Sequence, residues 1–220
     1  TGTGNDIILT GVGADTITSG SGNDTITAGG HDDTISAGAG DDVIIGGAGN
    51  DNITTGAGAD DVQLQAATSN GLDTITDFTP GTDDIKIATG TVLMAAAGTE
   101  RVTTAGAADV ALTDNDIEYI SINGAVGNLD SAGSLSLTES DLTATVLTNL
   151  AAYLDERFNA SNAADDALFV VNWTASGTNA YLYHLENDGN VAIAASELTH
   201  VATVNHGLTT TPLTTGDIIA

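Results

Sequence analysis

Single aliphatic residues recur every nine positions through the first third of the chain: Ile8, Ile17, Ile26, Ile35, Ile44, Ile53 and Val62. Their neighbours are polar and often β-branched, as in Thr16-Ile17-Thr18 and Thr25-Ile26-Thr27. Alternation of this kind predicts a short strand that sends the aliphatic side chain inward and its neighbours outward. Two further columns keep the same period. Asp6, Asp15, Asp24, Asp33, Asp42, Asp51 and Asp60 each precede the aliphatic residue by two. Gly2, Gly11, Gly20, Gly29, Gly38, Gly47 and Gly56 precede the aspartates, and a second Gly stands at 4, 13, 22, 40, 49 and 58 with His31 in the gap. Glycine admits positive φ and close backbone approach, so the Gly-x-Gly-x-Asp stretch reads as a tight turn.

The pattern changes after Val62. Asp73 to Phe78 alternates like a strand, Pro80-Gly81 predicts a turn, and Asp84 to Ile87 predicts the return strand. Phe78 is the first aromatic residue, and a flat ring suits plugging the end of a thin core. Residues 91–137 are rich in Ala, Gly and Thr, with strands expected at Asp116–Ile122 and Leu135–Leu137. Leu142, Val146, Leu147, Leu150, Leu154 and Phe158 share one helical face, which predicts a helix over about 141–158, capped by Thr138 or Ser140. Ala167–Trp173 and Asn179–Leu185 predict a hairpin, and Val191–Ile193 and His200–Val204 extend it into an antiparallel sheet.

The repeat units Gly20–Ile26 (GSGNDTI) and Gly47–Ile53 (GAGNDNI) resemble the nonapeptide of RTX proteins. The first consensus glycine is mostly replaced, by Thr1, Thr10, Ser19, Ala28, Ala37 and Thr55, and only Gly46 conforms. The resemblance implies a mainly β fold. A parallel β-roll with two units per coil, together with its closing segment, occupies residues 1–90. A β-rich C-terminal cap with one amphipathic helix occupies 91–220. It also implies Ca²⁺ along both edges, held by the Asp carboxylates and by turn carbonyls of Gly2, Gly11, Gly20, Gly29, Gly38 and Gly47, since Ca²⁺ takes about 6–8 oxygens. Turns one, three, five and seven stack on one edge and two, four and six on the other. Ions between stacked turns then number about five, three on one edge and two on the other. Residues 70–85 resemble the segment that closes such rolls. There Asp73, Asp77 and Asp83 either hold one more Ca²⁺ or are solvated strand and turn residues. His31 is expected to be a turn residue in the left-handed region, where His is enriched.

Composition narrows the function. Three Lys plus Arg stand against 30 Asp plus Glu, for a net charge of −27, and no Lys, Arg or Glu precedes Lys86. Such a surface has no cations to offer a phosphate backbone, so no nucleic-acid partner is expected. The roll segment would repel itself without a counterion. No Cys is present, and no apolar run is long enough for a transmembrane segment. No His-Glu-x-x-His, G-x-S-x-G or phosphate-loop motif occurs, and nothing in the spacing of His184, His200 and His206 suggests a site, so no enzyme activity is expected. The chain begins at Thr1 without Met, and is expected to start inside a longer polypeptide.

The final residues Leu213–Ala220 resemble the uncleaved export signal of type I secretion substrates. The expected function is a calcium-binding extracellular structural protein, of the surface-layer, matrix or adhesin type, exported unfolded and folded by Ca²⁺ outside. The alternative is an export-and-folding module of a secreted enzyme or toxin. The expected partners are the type I secretion machinery and, outside the cell, other copies of the chain or a cell-surface polysaccharide.

Overall fold

A computed structural model describes residues 1–65, 70–87, 100–104, 110–112, 116–122, 126–127, 136–137, 150–152, 154, 158–160, 167–173, 179–185, 193–206, 213 and 216–219. The repeat region folds as β1 (Gly2–Thr3), β2 (Ile7–Val12), β3 (Thr16–Ser21), β4 (Thr25–Gly30), β5 (Thr34–Ala39), β6 (Val43–Ala48), β7 (Asn52–Ala57) and β8 (Asp61–Leu64). β9 (Asp73–Thr76) and β10 (Asp84–Ile87) complete the last coil. Odd-numbered strands stack in one parallel sheet in the order β1-β3-β5-β7-β9, and even-numbered strands in another, β2-β4-β6-β8-β10. The protein is thus mainly β, with a parallel β-solenoid of about four turns.

The strands are longer than the alternation alone predicts. Each six-residue strand runs on through the first glycine of the next unit, so Gly20 pairs with Gly38, and Gly38 with Gly56. The tight turn is confined to the three residues that follow. At Gly20 and Gly38 φ is +119° and +112°, and an added Cβ would overlap the carbonyl oxygen of the glycine one coil earlier. Both the dihedral and the close stacking exclude a side chain. His31 has φ +83°, the left-handed turn expected of it.

Each sheet sends one stack of branched aliphatic residues into the core. Ile17, Ile35, Ile53 and Ile75 stack in register in one sheet, and Ile8, Ile26, Ile44, Val62 and Ile85 in the other. From Ile17 onward these residues are buried and belong to one cluster, and Ile8 packs against it. Phe78 is 1 % exposed within that cluster, as expected of an end plug.

Both sheets continue into distant sequence. The C-terminal part contributes β11 (Glu100–Thr104), β12 (Val110–Leu112), β13 (Asp116–Ile122), β14 (Val126–Gly127), β15 (Ser136–Leu137), β16 (Phe158–Ala160), β17 (Ala167–Trp173), β18 (Asn179–Leu185), β19 (Leu198–Asn205) and β20 (Ile218–Ile219). The first sheet runs on as β9-β19-β18-β17-β13-β11, and the second ends on β20 beside β10. The hairpin β17-β18 and its neighbour β19 are antiparallel, as expected. However, β19 lies parallel to β9, and β13 parallel to β17. The expected strand at Val191–Ile193 is not a strand at Ile193, and its other residues lie outside those described. Of the expected helix, Leu150, Ala151, Ala152 and Leu154 are helical, but Phe158 lies in β16 and pairs with Val110. Parallel pairing there overrides the helical stripe, as tertiary context can.

Candidate metal centre

Each turn Asp is held by the coil before it. The backbone N–H of Asp6 donates to Asp24 Oδ1 at 2.8 Å, Asp15 to Asp33 at 2.7 Å, and Asp24 to Asp42 at 2.7 Å. Asp33 donates to Asp51 at 2.9 Å and Asp42 to Asp60 at 2.9 Å. The period of two units per coil produces this ladder, because it brings like positions into register at every 18th residue. One column is Asp6, Asp24, Asp42 and Asp60, and the other is Asp15, Asp33 and Asp51.

The second carboxylate oxygen is the informative atom. Asp24, Asp33, Asp42, Asp51 and Asp60 are each 0–2 % exposed, and the buried Oδ2 of each has no hydrogen-bond partner. An ionised oxygen out of water without a partner is strongly disfavoured. Burial accordingly pushes the carboxyls of Asp42 and Asp51 up, and that of Asp60 up to about 6; the neighbouring aspartates add to the rise. The residues fit a hard divalent cation, since a buried carboxylate oxygen without a partner stands at each of these five turns. Asp6 and Asp15 are only partly buried, and Asp6 Oδ2 accepts from the Thr1 hydroxyl. The first-column glycines stand at the strand ends that shoulder these turns: Gly2 pairs with Gly20, Gly11 with Gly29, Gly29 with Gly47.

Asp73 and Asp83 end the two columns. Asp73 Oδ1 accepts from the Asp51 N–H at 3.0 Å, and Asp83 Oδ1 from the Asp60 N–H at 3.1 Å. They therefore sit on opposite edges, and Asp73, Asp77 and Asp83 do not gather at one point. Burial raises the Asp83 carboxyl, and the charge of Asp77, which has φ +64°, adds to the rise. Asp73 is pushed up to about 8, chiefly by burial.

Several contributors escaped the nonapeptide pattern. A second ladder runs the other way on the outer side of the turns: Asn5 Oδ1 accepts from the Asn23 N–H at 2.8 Å, and Asn23 Oδ1 from the Asp41 N–H at 3.1 Å. Asp32 Oδ1 accepts from the Asn50 N–H at 2.8 Å. The signal was present, as Asn or Asp before the column Asp at 5, 23, 32, 41 and 50. The residues replacing the first consensus glycine are small because they face the interior: Ser19, Ala28, Ala37 and Thr55 are each fully buried. Thr10 and Ser19 hydroxyls donate to the carbonyls of Ala28 and Ala37 one coil on. At the one such position that keeps Gly, Gly46, an added Cβ would overlap Asp51 Oδ2 as that side chain stands.

His184 and His206 are buried, and His200 stacks on Tyr183 with centroids 4.7 Å apart. Burial lowers the His200 pKa to about 4. Among the described residues, no three His, Asp or Glu side chains gather as a metal cluster. The candidate centre instead has one carboxylate per coil edge. No helix among the described residues is long and apolar enough to cross a membrane.

Comparison with known proteins agrees with the geometry. Residues 1–30 and 27–62 match the family model of the RTX calcium-binding nonapeptide repeat, in four copies. No curated protein and no solved structure matches the chain. Repeats of this type bind Ca²⁺ and are typical of secreted proteins. With the period of nine, the two stacked sheets and the buried carboxylate columns, the match identifies residues 1–62 as RTX calcium-binding nonapeptide repeats.

Proposed function

We propose that the chain is a secreted structural protein, of the surface-layer, matrix or adhesin type, whose roll is folded by about five Ca²⁺ ions. The observation that carries this reading is the set of five buried Oδ2 atoms without partners. Three lie on the Asp24-Asp42-Asp60 edge and two on the Asp33-Asp51 edge. One ion at each would supply the missing partner and neutralise the column.

The mechanism follows from linkage. At cytosolic Ca²⁺ the columns keep the segment unfolded, which suits threading through the type I secretion machinery. Outside, Ca²⁺ at about 10⁻⁴–10⁻³ M loads sites of this extracellular class. Binding free energy then becomes folding free energy. No catalytic step is assigned to the chain, and its partners outside the cell are other copies or a surface polysaccharide.

Sedimentation velocity in excess EGTA and in about 5 mM Ca²⁺, a level above the extracellular affinity range, tests both parts. Large assemblies that form with Ca²⁺ and reverse with EGTA are expected of a surface-layer or fibre subunit. A change only from an expanded to a compact monomer would retain calcium folding but replace the structural role with that of an export-and-folding module. A sedimentation coefficient that ignores Ca²⁺ would remove the calcium reading altogether.

A further inference from the structure

The carboxylate columns do not simply stop; the protein closes them with its own donors. At Asp24, Asp33, Asp42, Asp51 and Asp60 the Oδ2 atom has no partner. At Asp73 the Oδ1 tie to the preceding coil is kept, but Oδ2 accepts from Asn70 Nδ2 at 2.7 Å. At Asp83 the Oδ1 tie is again kept, and Oδ2 accepts from the backbone N–H of Thr79 at 2.8 Å and faces the Thr55 hydroxyl at 3.5 Å. Two columns on opposite edges thus end in the same way.

Asn70 is 1 % exposed and fixed from several sides. Its Oδ1 accepts from the Gln65 N–H at 2.8 Å. Its Nδ2 also faces the carbonyl of Val201, on β19, at 3.4 Å. An amide held in this way presents a positive hydrogen end to the carboxylate at the same oxygen that has no partner in the other five aspartates.

We infer that Asn70 and the Thr79 N–H take the place of the ion in the closing coil, so that Asp73 and Asp83 are acceptors in a metal-free rung rather than Ca²⁺ ligands. The inference rests on the calcium reading above and deepens it. Asn70 then sets where the ion column ends, and its contact with Val201 joins that end to the C-terminal sheet. The bound-ion count of the roll is decided by hydrogen-bond donors outside the nonapeptide units.

Native mass spectrometry of the full chain in Ca²⁺ counts the ions directly. Asp51→Asn is expected to lose one ion relative to the unmodified protein, and Asp73→Asn to lose none. Loss of one ion with Asp73→Asn overturns the inference. An unchanged count with Asp51→Asn instead sinks the calcium assignment of the column, which is a separate failure. Should Asp73→Asn lose every ion through unfolding, Asn70→Asp decides. It removes the donor and adds a carboxylate beside Asp73, and a gain of one ion is expected; a count that stays at the unmodified value overturns the inference.

Discussion

The roll and the C-terminal hairpin sheet share strands of one continuous sheet, yet they are held together by different physics. The roll core is two stacks of Ile and Val, one from each sheet, with Ala28, Ala37 and Leu64 beside them and unpartnered carboxylates buried along both edges. The β17-β18-β19 region buries Phe169, Tyr181, Tyr183, Leu182, Val170 and Val201, all at 0–2 % exposure. Hydrophobic burial scales with area, at roughly 25 cal/mol per Å². A sheet rich in aromatic and branched side chains therefore supplies its own driving force. A thin solenoid with charged edges buries smaller side chains, and under the proposed function Ca²⁺ binding supplies the difference. The two regions meet in one apolar cluster, where Ile53 and Ile75 of the roll stand with Val170, Leu182 and Val201, and under the proposed function Ca²⁺ acts on the roll end of it.

That contrast can be broken most directly at Phe169. Phe169→Ala is expected to cost about 3–5 kcal/mol through the cavity it leaves. The loss should appear in chemical denaturation of the β17–β19 region by about the same amount at all saturating Ca²⁺ concentrations. A cost that scaled with Ca²⁺ would mean the two regions are one cooperative unit.

Asp42→Ala is the converse change, at the central one of the three acids on that edge whose Oδ2 has no partner. An ion present at ~100 times its dissociation constant stabilises the folded state by about 2.7 kcal/mol. Its loss should move the Ca²⁺ midpoint of folding, read by circular dichroism, to higher concentration. An unmoved midpoint would remove Asp42 from the ligand set.

Acidification in EGTA should push the two regions in opposite directions. Asp42, Asp51 and Asp60 have raised folded-state pKa values, with Asp60 at about 6. Their contribution is fully present below the ordinary value of 3.8 and is lost as pH rises through the raised values, about 6 for Asp60. The metal-free roll should therefore gain structure as pH falls through the Asp60 value of about 6. His200 is lowered from 6.5 to about 4, so its contribution is present above 6.5 and is lost as pH falls toward 4. Hydrogen exchange that showed both regions moving together would contradict these assignments.

The smallest effect is expected at Lys86. It pairs with Asp61 at 3.0 Å, with both side chains partly exposed. Lys86→Ala should change stability by less than about 1 kcal/mol, and by less still in high salt. A larger loss in a thermal melt would show that the pair belongs to the closing coil rather than to its surface.

The sequence displays one of these regions far better than the other. Period nine announces the roll because each unit meets an identical unit 18 residues away, so Gly20, Asp24 and Ile26 repeat their neighbours' environment. The hairpin β17-β18 is legible because two alternating runs flank a short connection around Gly177. The parallel joins β19-β9 and β20-β10 leave no such mark. Parallel strands need no turn between them, and their partners lie far apart along the chain. Asn70 was invisible for a related reason: it falls where the nonapeptide phase has lapsed, and its meaning depends on Val201. Phe158 kept helical spacing but found a strand partner in Val110.

The distant closure of the roll has a kinetic consequence. Ordinary rungs join residues 18 apart, as between Asp24 and Asp42, whereas Asn70 meets Val201 across 131 residues and Gly81 meets Asp217 across 136. Loop-closure entropy makes the long joins more costly than the short ones by about 2 kcal/mol each. Refolding on addition of Ca²⁺ should then proceed as a fast zipper along the coils, with a slower second phase as β19 and β20 arrive to seal the last one. The repeats set the pace of most of the roll, and residues more than a hundred positions downstream set the moment it is finished.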